Sequence, residues 1–291
     1  MLRREKRTIR TLWVSAILIL SACNDEVDTA AEAIVLDEAT AAAVVDFSND
    51  DIDNIVLNNL DAIGTRTGGG EANNGRGFNP YGGRDSCAEI THDETSQTIT
   101  VDFGEGCSNG DELVRSGQII ISYTDRRNIA GAVITTTFND FRVNGNLIEG
   151  TRTLTNISDG TMNQRAFRVV TENGKITFED GTTRTFQGTR TRTHMLEETS
   201  QELTITVEGS RSGINREGVA FSMEITAPLV FTYSCRQVGV RVAISGVRTL
   251  TRDSETTTID YGTGTCDNEV TVTRPDGTTE IVEVRNRRRR G

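Results

Sequence analysis

Hydrophobic and polar residues alternate with period two through most of the chain from about residue 87 to 284. Ile99, Val101 and Phe103 fall on one side of an extended segment, and Thr98, Thr100 and Asp102 on the other. Further on, Val219, Phe221, Met223 and Ile225 alternate with Ala220, Ser222, Glu224 and Thr226. Successive side chains of a strand point to opposite faces, so this period marks strands with one face buried and one wet. Turn signals interrupt it at Asn144-Gly145, Asp159-Gly160, Asn173-Gly174, Asp180-Gly181 and Asp276-Gly277. Such pairs accept the positive φ angles of tight hairpins. The spacing predicts about twelve strands and no long amphipathic helix among them. The expected fold is all-β: an antiparallel sandwich or a strongly curved β-meander, preceded by a flexible N-terminal stalk.

The first residues follow a different pattern. Met1 to Arg10 carries Arg3, Arg4, Lys6, Arg7 and Arg10 against one acid, Glu5; Leu12 to Leu20 is apolar; Ser21 and Ala22 precede Cys23. A basic start, a short apolar run and a small-residue cut site read as a secretory signal over residues 1–22. The run is about half of the ~20 residues needed to span a bilayer. Leu20-Ser21-Ala22-Cys23 resembles the lipobox of bacterial lipoproteins. That resemblance implies a diacylglyceryl group on the Cys23 thiol, cleavage before Cys23, and a membrane as the partner reached through that lipid. Asn24-Asp25-Glu26 resembles the short acidic surface-export signal of Bacteroidota-type lipoproteins. The expected location is the cell envelope, lipid-anchored at the outer membrane.

Residues 23–85 read as a stalk. Ala30 to Val45 and Asp51 to Leu60 have weak helical character, and Gly64 to Asp85 is a Gly/Asn-rich linker that cannot bury a core. Asp50, Asp51 and Asp53 invite a calcium reading. Ile55 stands where the EF-hand turn needs glycine, and no glutamate closes the loop, so a solvated helix start is expected instead.

Composition narrows the function classes. The chain has 291 residues and a net charge of −11; losing the leader, with five basic residues and one acid, takes it to −15. An acidic chain of this kind is expected to avoid nucleic acid and anionic headgroups. The only tryptophan, Trp13, lies in the leader, and hydrophobic content is 35%, which suits sheets with one wet face.

Cys87, Cys107, Cys235 and Cys266 remain after Cys23 is set aside, an even count that reads as disulfides in an oxidising compartment. Their spacing is far wider than zinc-ligand pairs. Two internal echoes bear on the pairing and on surface charge. Val101-Asp102-Phe103-Gly104-Glu105-Gly106-Cys107 matches Ile259-Asp260-Tyr261-Gly262-Thr263-Gly264-Thr265-Cys266 with one insertion. Each copy has its own upstream cysteine, so Cys87–Cys107 and Cys235–Cys266 are the expected bonds among the three connectivities. Asp102 and Asp260 occupy equivalent places and are expected to support turns rather than catalyse. The second echo, Gly-Thr-Arg-Thr, recurs at Gly150, Gly188 and, as Gly-Val-Arg-Thr, at Gly246. It sets threonines on one strand face and arginines on the other, and these arginines are expected to pair with carboxylates across strands. Together these motifs resemble a group of uncharacterised Bacteroidota lipoproteins over roughly residues 85 to 284, a likeness that implies a secreted β domain and no known activity.

Catalytic patterns are sparse. His92 and His194 read as surface or turn histidines, and no G-x-S-x-G elbow is present. No catalytic residue, cofactor or metal ligand is assigned. Residues 86–284 form the expected disulfide-stapled β domain and 285–291 an Arg-rich tail, read as a solvated or folded-back end. The function expected is a membrane-anchored, non-enzymatic protein with a structural, adhesive or ligand-binding role, its envelope or polysaccharide partner unspecified. A carboxylate-dependent hydrolase and an envelope lipid-handling protein are the alternatives.

Overall fold

The computed structural model describes residues 87–108, 113–240 and 242–284, and the helical positions Ile52, Asp53, Ile55, Val56, Asn59 and Leu60. All lie in one structural unit, Asp46–Gly291. Cys23, the Ala30 to Val45 segment, the Gly/Asn-rich linker and the Arg-rich tail lie outside the described residues.

The sheet is built from β1 (Glu89–Asp93), β2 (Thr98–Asp102), β3 (Arg115–Tyr123), β4 (Val133–Val143), β5 (Asn146–Asn156), β6 (Gln164–Thr177), β7 (Thr183–Leu196), β8 (Leu203–Ile214), β9 (Ala220–Thr232), β10 (Ser245–Arg252), β11 (Glu255–Thr263), β12 (Glu269–Thr273) and β13 (Thr279–Glu283). They form one 13-stranded sheet in sequential order. Each strand pairs antiparallel with its sequence neighbours, a meander rather than a two-sheet sandwich.

Most turn signals sit where the alternation placed them. Asn144 and Gly145 have φ of 47° and 81° and close β4 onto β5, the conformation a two-residue hairpin requires. Asp180-Gly181 joins β6 to β7, and Asp276-Gly277 joins β12 to β13. Asn173-Gly174 is different. It lies inside β6, where the register with β7 shifts between Thr171 and Gly174. The left-handed Asn173, at φ 52°, makes a bulge instead of a turn. Gly174 is needed there because the Phe186 ring crosses it: a Cβ would lie 2.7 Å from Phe186 Cε2.

The alternating faces separate as the sequence predicts. Ile99, Ile119, Ile121, Ile134 and Ile176 are buried on one face. A helix contributes Ile52, Val56 and Leu60, spaced four apart on one side and all buried. The stalk expected over 23–85 therefore gives way, at these positions, to a packed element. Where β9 ends, the short helix Tyr233–Gln237 carries Cys235 into a small cluster with Val240 and Ile244.

Both expected disulfides are present: Cys87–Cys107, with Cα atoms 5.5 Å apart, and Cys235–Cys266, at 5.2 Å. Each staples a loop at one end of the sheet.

Candidate functional site

The solvent-facing side of the sheet carries a rank of hydroxyls. Following directly opposed residues, the register runs Thr98, Ser122, Thr135, Thr153, Val170, Thr189, Ser210, Glu224, Thr249, Thr258, Thr273, Thr279. Only Val170 and Glu224 interrupt it. At ~4.8 Å per strand the rank extends about 50 Å. Threonine suits the pleated surface, and neighbouring hydroxyls bond across strands, as Thr251 and Thr256 do at 3.0 Å. A parallel rank, Gln187, Ser212, Ser222, Thr251 and Thr256, flanks it.

A shallow, open groove of about 420 Å³ lies in this face over β6 to β9. Its polar walls are Glu172, Gln187, Thr189, Ser210, Ser212, Ser222 and Glu224, with Val170 alongside. Glycines let the backbones beneath approach closely. A Cβ on Gly188 would lie 2.4 Å from the Ser210 carbonyl oxygen, and one on Gly209, at φ +135°, would lie 2.1 Å from that of Thr189. The pairing of β8 with β9 also shifts between Val207 and Ser210. Sequence reasoning placed the threonines on one face but missed the groove, whose only signal was the cluster of glycines on β7 and β8.

The groove's carboxylates, Glu172 and Glu224, stem from β6 and β9. Three inter-strand steps place their backbones roughly 14 Å apart. Asp102 and Asp260 do what turn supports do. Gly104 N–H donates to Asp102 Oδ1 at 2.8 Å, and Gly262 N–H to Asp260 Oδ1 at 2.8 Å. The Gln118 amide, and then the Gly104 N–H, hold the Asp102 carboxyl below its ordinary pKa.

The echo arginines lie on the opposite, covered face. Arg152 is buried, and Arg190 and Arg248 are partly buried. Their described partners also differ from the expected carboxylates on adjacent strands. Arg152 reaches Asp53 of the helix at 2.6 Å, and Arg192 lies 3.8 Å from the same carboxylate. Arg248 stacks 5.8 Å from the Tyr261 ring centroid. Arg184, fully buried, lies 4.3 Å over Phe221, an attraction strengthened by exclusion of water. Asp53 is thus a half-buried ion-pair partner, not part of a solvated helix start. No group of three or more metal-ligating side chains occurs among the described residues.

Both histidines stand on strands, each partly buried. His92 Nε2 is 2.6 Å from the Tyr123 hydroxyl. His194 meets the Phe167 ring edge-on at 5.9 Å. Burial first, then the charges of Arg192, Arg127 and Arg236, pull its pKa down from 6.5 to about 4. Among the described residues no nucleophile or carboxylate bonds to the His194 imidazole.

The chain matches no known family model, no curated protein and no solved structure.

Proposed function

We propose that this chain is a non-enzymatic envelope protein, held to a membrane by lipid on Cys23, whose hydroxyl-lined groove binds a neutral, extended polysaccharide. The groove over β6 to β9 carries the reading. Serine and threonine hydroxyls both donate and accept, and the carboxylates of Glu172 and Glu224 accept from sugar hydroxyls. These groups stand on paired strands, so little freedom is lost when a chain is bound. The rank beyond the groove continues the same chemistry in both directions, which suits a polymer rather than a monosaccharide. The acidic balance of the protein disfavours anionic polymers.

Affinity electrophoresis of the full chain, carrying Cys23→Ser, through gels cast with neutral glucans, mannans or xylans tests this. At least one polymer should retard it. Thr189→Val keeps the branched shape but removes a hydroxyl, and Glu224→Gln removes an acceptor charge. Together they should weaken retardation about tenfold, as loss of two hydrogen bonds implies. Migration unaffected by every neutral polymer would refute the reading.

A further inference from the structure

The groove over β6 to β9 is a trough with two walls. One wall is the row Val170, Thr189, Ser210 and Glu224, directly opposed from strand to strand. The other is Gln187, Ser212 and Ser222, likewise opposed, with Glu172 at its β6 end. The walls stand two residues apart along each strand, so they run parallel at about 7 Å. The line Thr171, Gly188, Arg211 and Met223 passes between them as the floor. That floor is largely backbone: Gly188 has no side chain, Met223 is buried, and the Arg211 guanidinium turns to the Phe186 ring on the covered face.

The walls keep their hydrogen-bonding capacity for solvent or a ligand. Among the described residues, no protein group bonds the side chain of any of the seven polar wall residues. Elsewhere on this face such groups satisfy one another: Gln118 bonds Asp102 and Asn139, and Thr251 bonds Thr256. No wall residue is aromatic, so a sugar seated here is held by its edges and not by stacking of its face.

A glycan joined through equatorial β-1,4 bonds is a straight ribbon. Its faces carry C–H groups, and its hydroxyls project from both edges. Each sugar advances the ribbon by close to one strand spacing, about 5 Å. Laid across the strands in the trough, it sets one sugar on each strand and turns each edge toward a wall, where hydroxyls and carboxylates bond it. α-linked glucans coil or flex, and their hydroxyls leave a straight row within a few sugars. Glu172 and Glu224 stand at diagonally opposite corners of the trough and repel uronate or sulfate groups. Taking the groove as a polysaccharide site, we infer that its occupant is a neutral β-1,4-linked glycan, the linkage shared by glucan, mannan and xylan chains. It lies perpendicular to the strands, with about four sugars inside the trough.

Titration calorimetry of the full chain carrying Cys23→Ser, with β-1,4-linked gluco-, manno- and xylo-oligosaccharides of increasing length, tests this. For at least one series, affinity should rise about tenfold or more from the disaccharide to the tetrasaccharide and then level off. The α-linked tetrasaccharides of the maltose and isomaltose series should bind at least about tenfold more weakly. Changing either wall, by T189V/S210A or by Q187A/S212A, should weaken tetrasaccharide binding about tenfold. These side chains are exposed or half-buried, so the β circular dichroism should be retained. Dextran or pullulan retarding the chain in affinity gels as strongly as the β-1,4 polymers do would overturn this inference and leave the polysaccharide reading standing. An affinity that stops rising at the disaccharide, or unchanged binding by Q187A/S212A, would overturn it in the same way. Retardation by no neutral polymer would overturn both.

Discussion

The ion pair between Asp53 and Arg152 joins the helix to the middle of the sheet, and its removal has a calculable cost. Asp53→Asn keeps the shape of the side chain and deletes the charge. Breaking a fully buried pair costs about 3–5 kcal/mol, whereas an exposed pair contributes about 0–1 kcal/mol. The Arg152 and Asp53 side chains are 9% and 15% exposed, and their atoms lie 2.6 Å apart. The pair therefore sits nearer the buried limit, and a loss of about 2–3 kcal/mol is expected. The helix should stay in place, because burial of Ile52, Val56 and Leu60 contributes about 1.5–3 kcal/mol each. With a guanidinium slope of about 4 kcal/mol/M, the unfolding midpoint should fall by roughly 0.6 M. A double-mutant cycle with Arg152→Gln isolates the pair, and its coupling should exceed about 1 kcal/mol. A coupling below about 0.3 kcal/mol, the scatter of independent sites, would refute the argument.

Four further outcomes are expected. His194 is neutral in the folded chain down to about pH 4, against 6.5 ordinarily, so the unfolded chain takes up its proton first as pH falls. Stability should drop between about pH 6.5 and 4 by about 2 kcal/mol once partial exposure is allowed for, and His194→Gln should flatten the urea midpoint over that window. The disulfides close 20 and 31 residues, so Cys87→Ala/Cys107→Ala and Cys235→Ala/Cys266→Ala should cost about 3.3 and 3.7 kcal/mol in denaturant titrations. Gly188→Ala should destabilise by about 1–3 kcal/mol, since its new methyl meets the Ser210 carbonyl, and should reduce retardation in polysaccharide gels. Cys23→Ala should leave the protein unprocessed or free of the membrane fraction, and unchanged fractionation would count against lipid attachment.

Strand character was legible because apolar residues at every second position have one physical explanation. The turns were legible where Asn or Asp met Gly between strands. Asn173-Gly174 misled because the same left-handed backbone serves a hairpin and a bulge, and only the partner strand distinguishes them. The arginines were harder. In Thr-Arg-Thr both alternating sets are polar, so hydropathy cannot say which faces inward. Here the long arginine stems lie along the covered face, and the heads find rings and Asp53. The helix was legible only as weak helical character over Asp51 to Leu60, and its docking was not, since Arg152 lies ninety-nine residues away. The groove escaped because it is made by what glycine lacks.

A sheet whose strands pair only with their sequence neighbours has a low contact order for an all-β protein of its size. Each hairpin can form within microseconds once both of its strands are available, and it provides a template for the next strand. Growth then resembles a linear array with nearest-neighbour coupling, as in repeat proteins. The disulfides obey the same locality, each closing within a few strands. A chain delivered from its N-terminus could therefore add strands in the order of their arrival, exposing one unpaired edge at a time. Acids on the final strand, Glu280 and Glu283, would then mark where growth stops, because like charges oppose pairing with a second copy of the same edge.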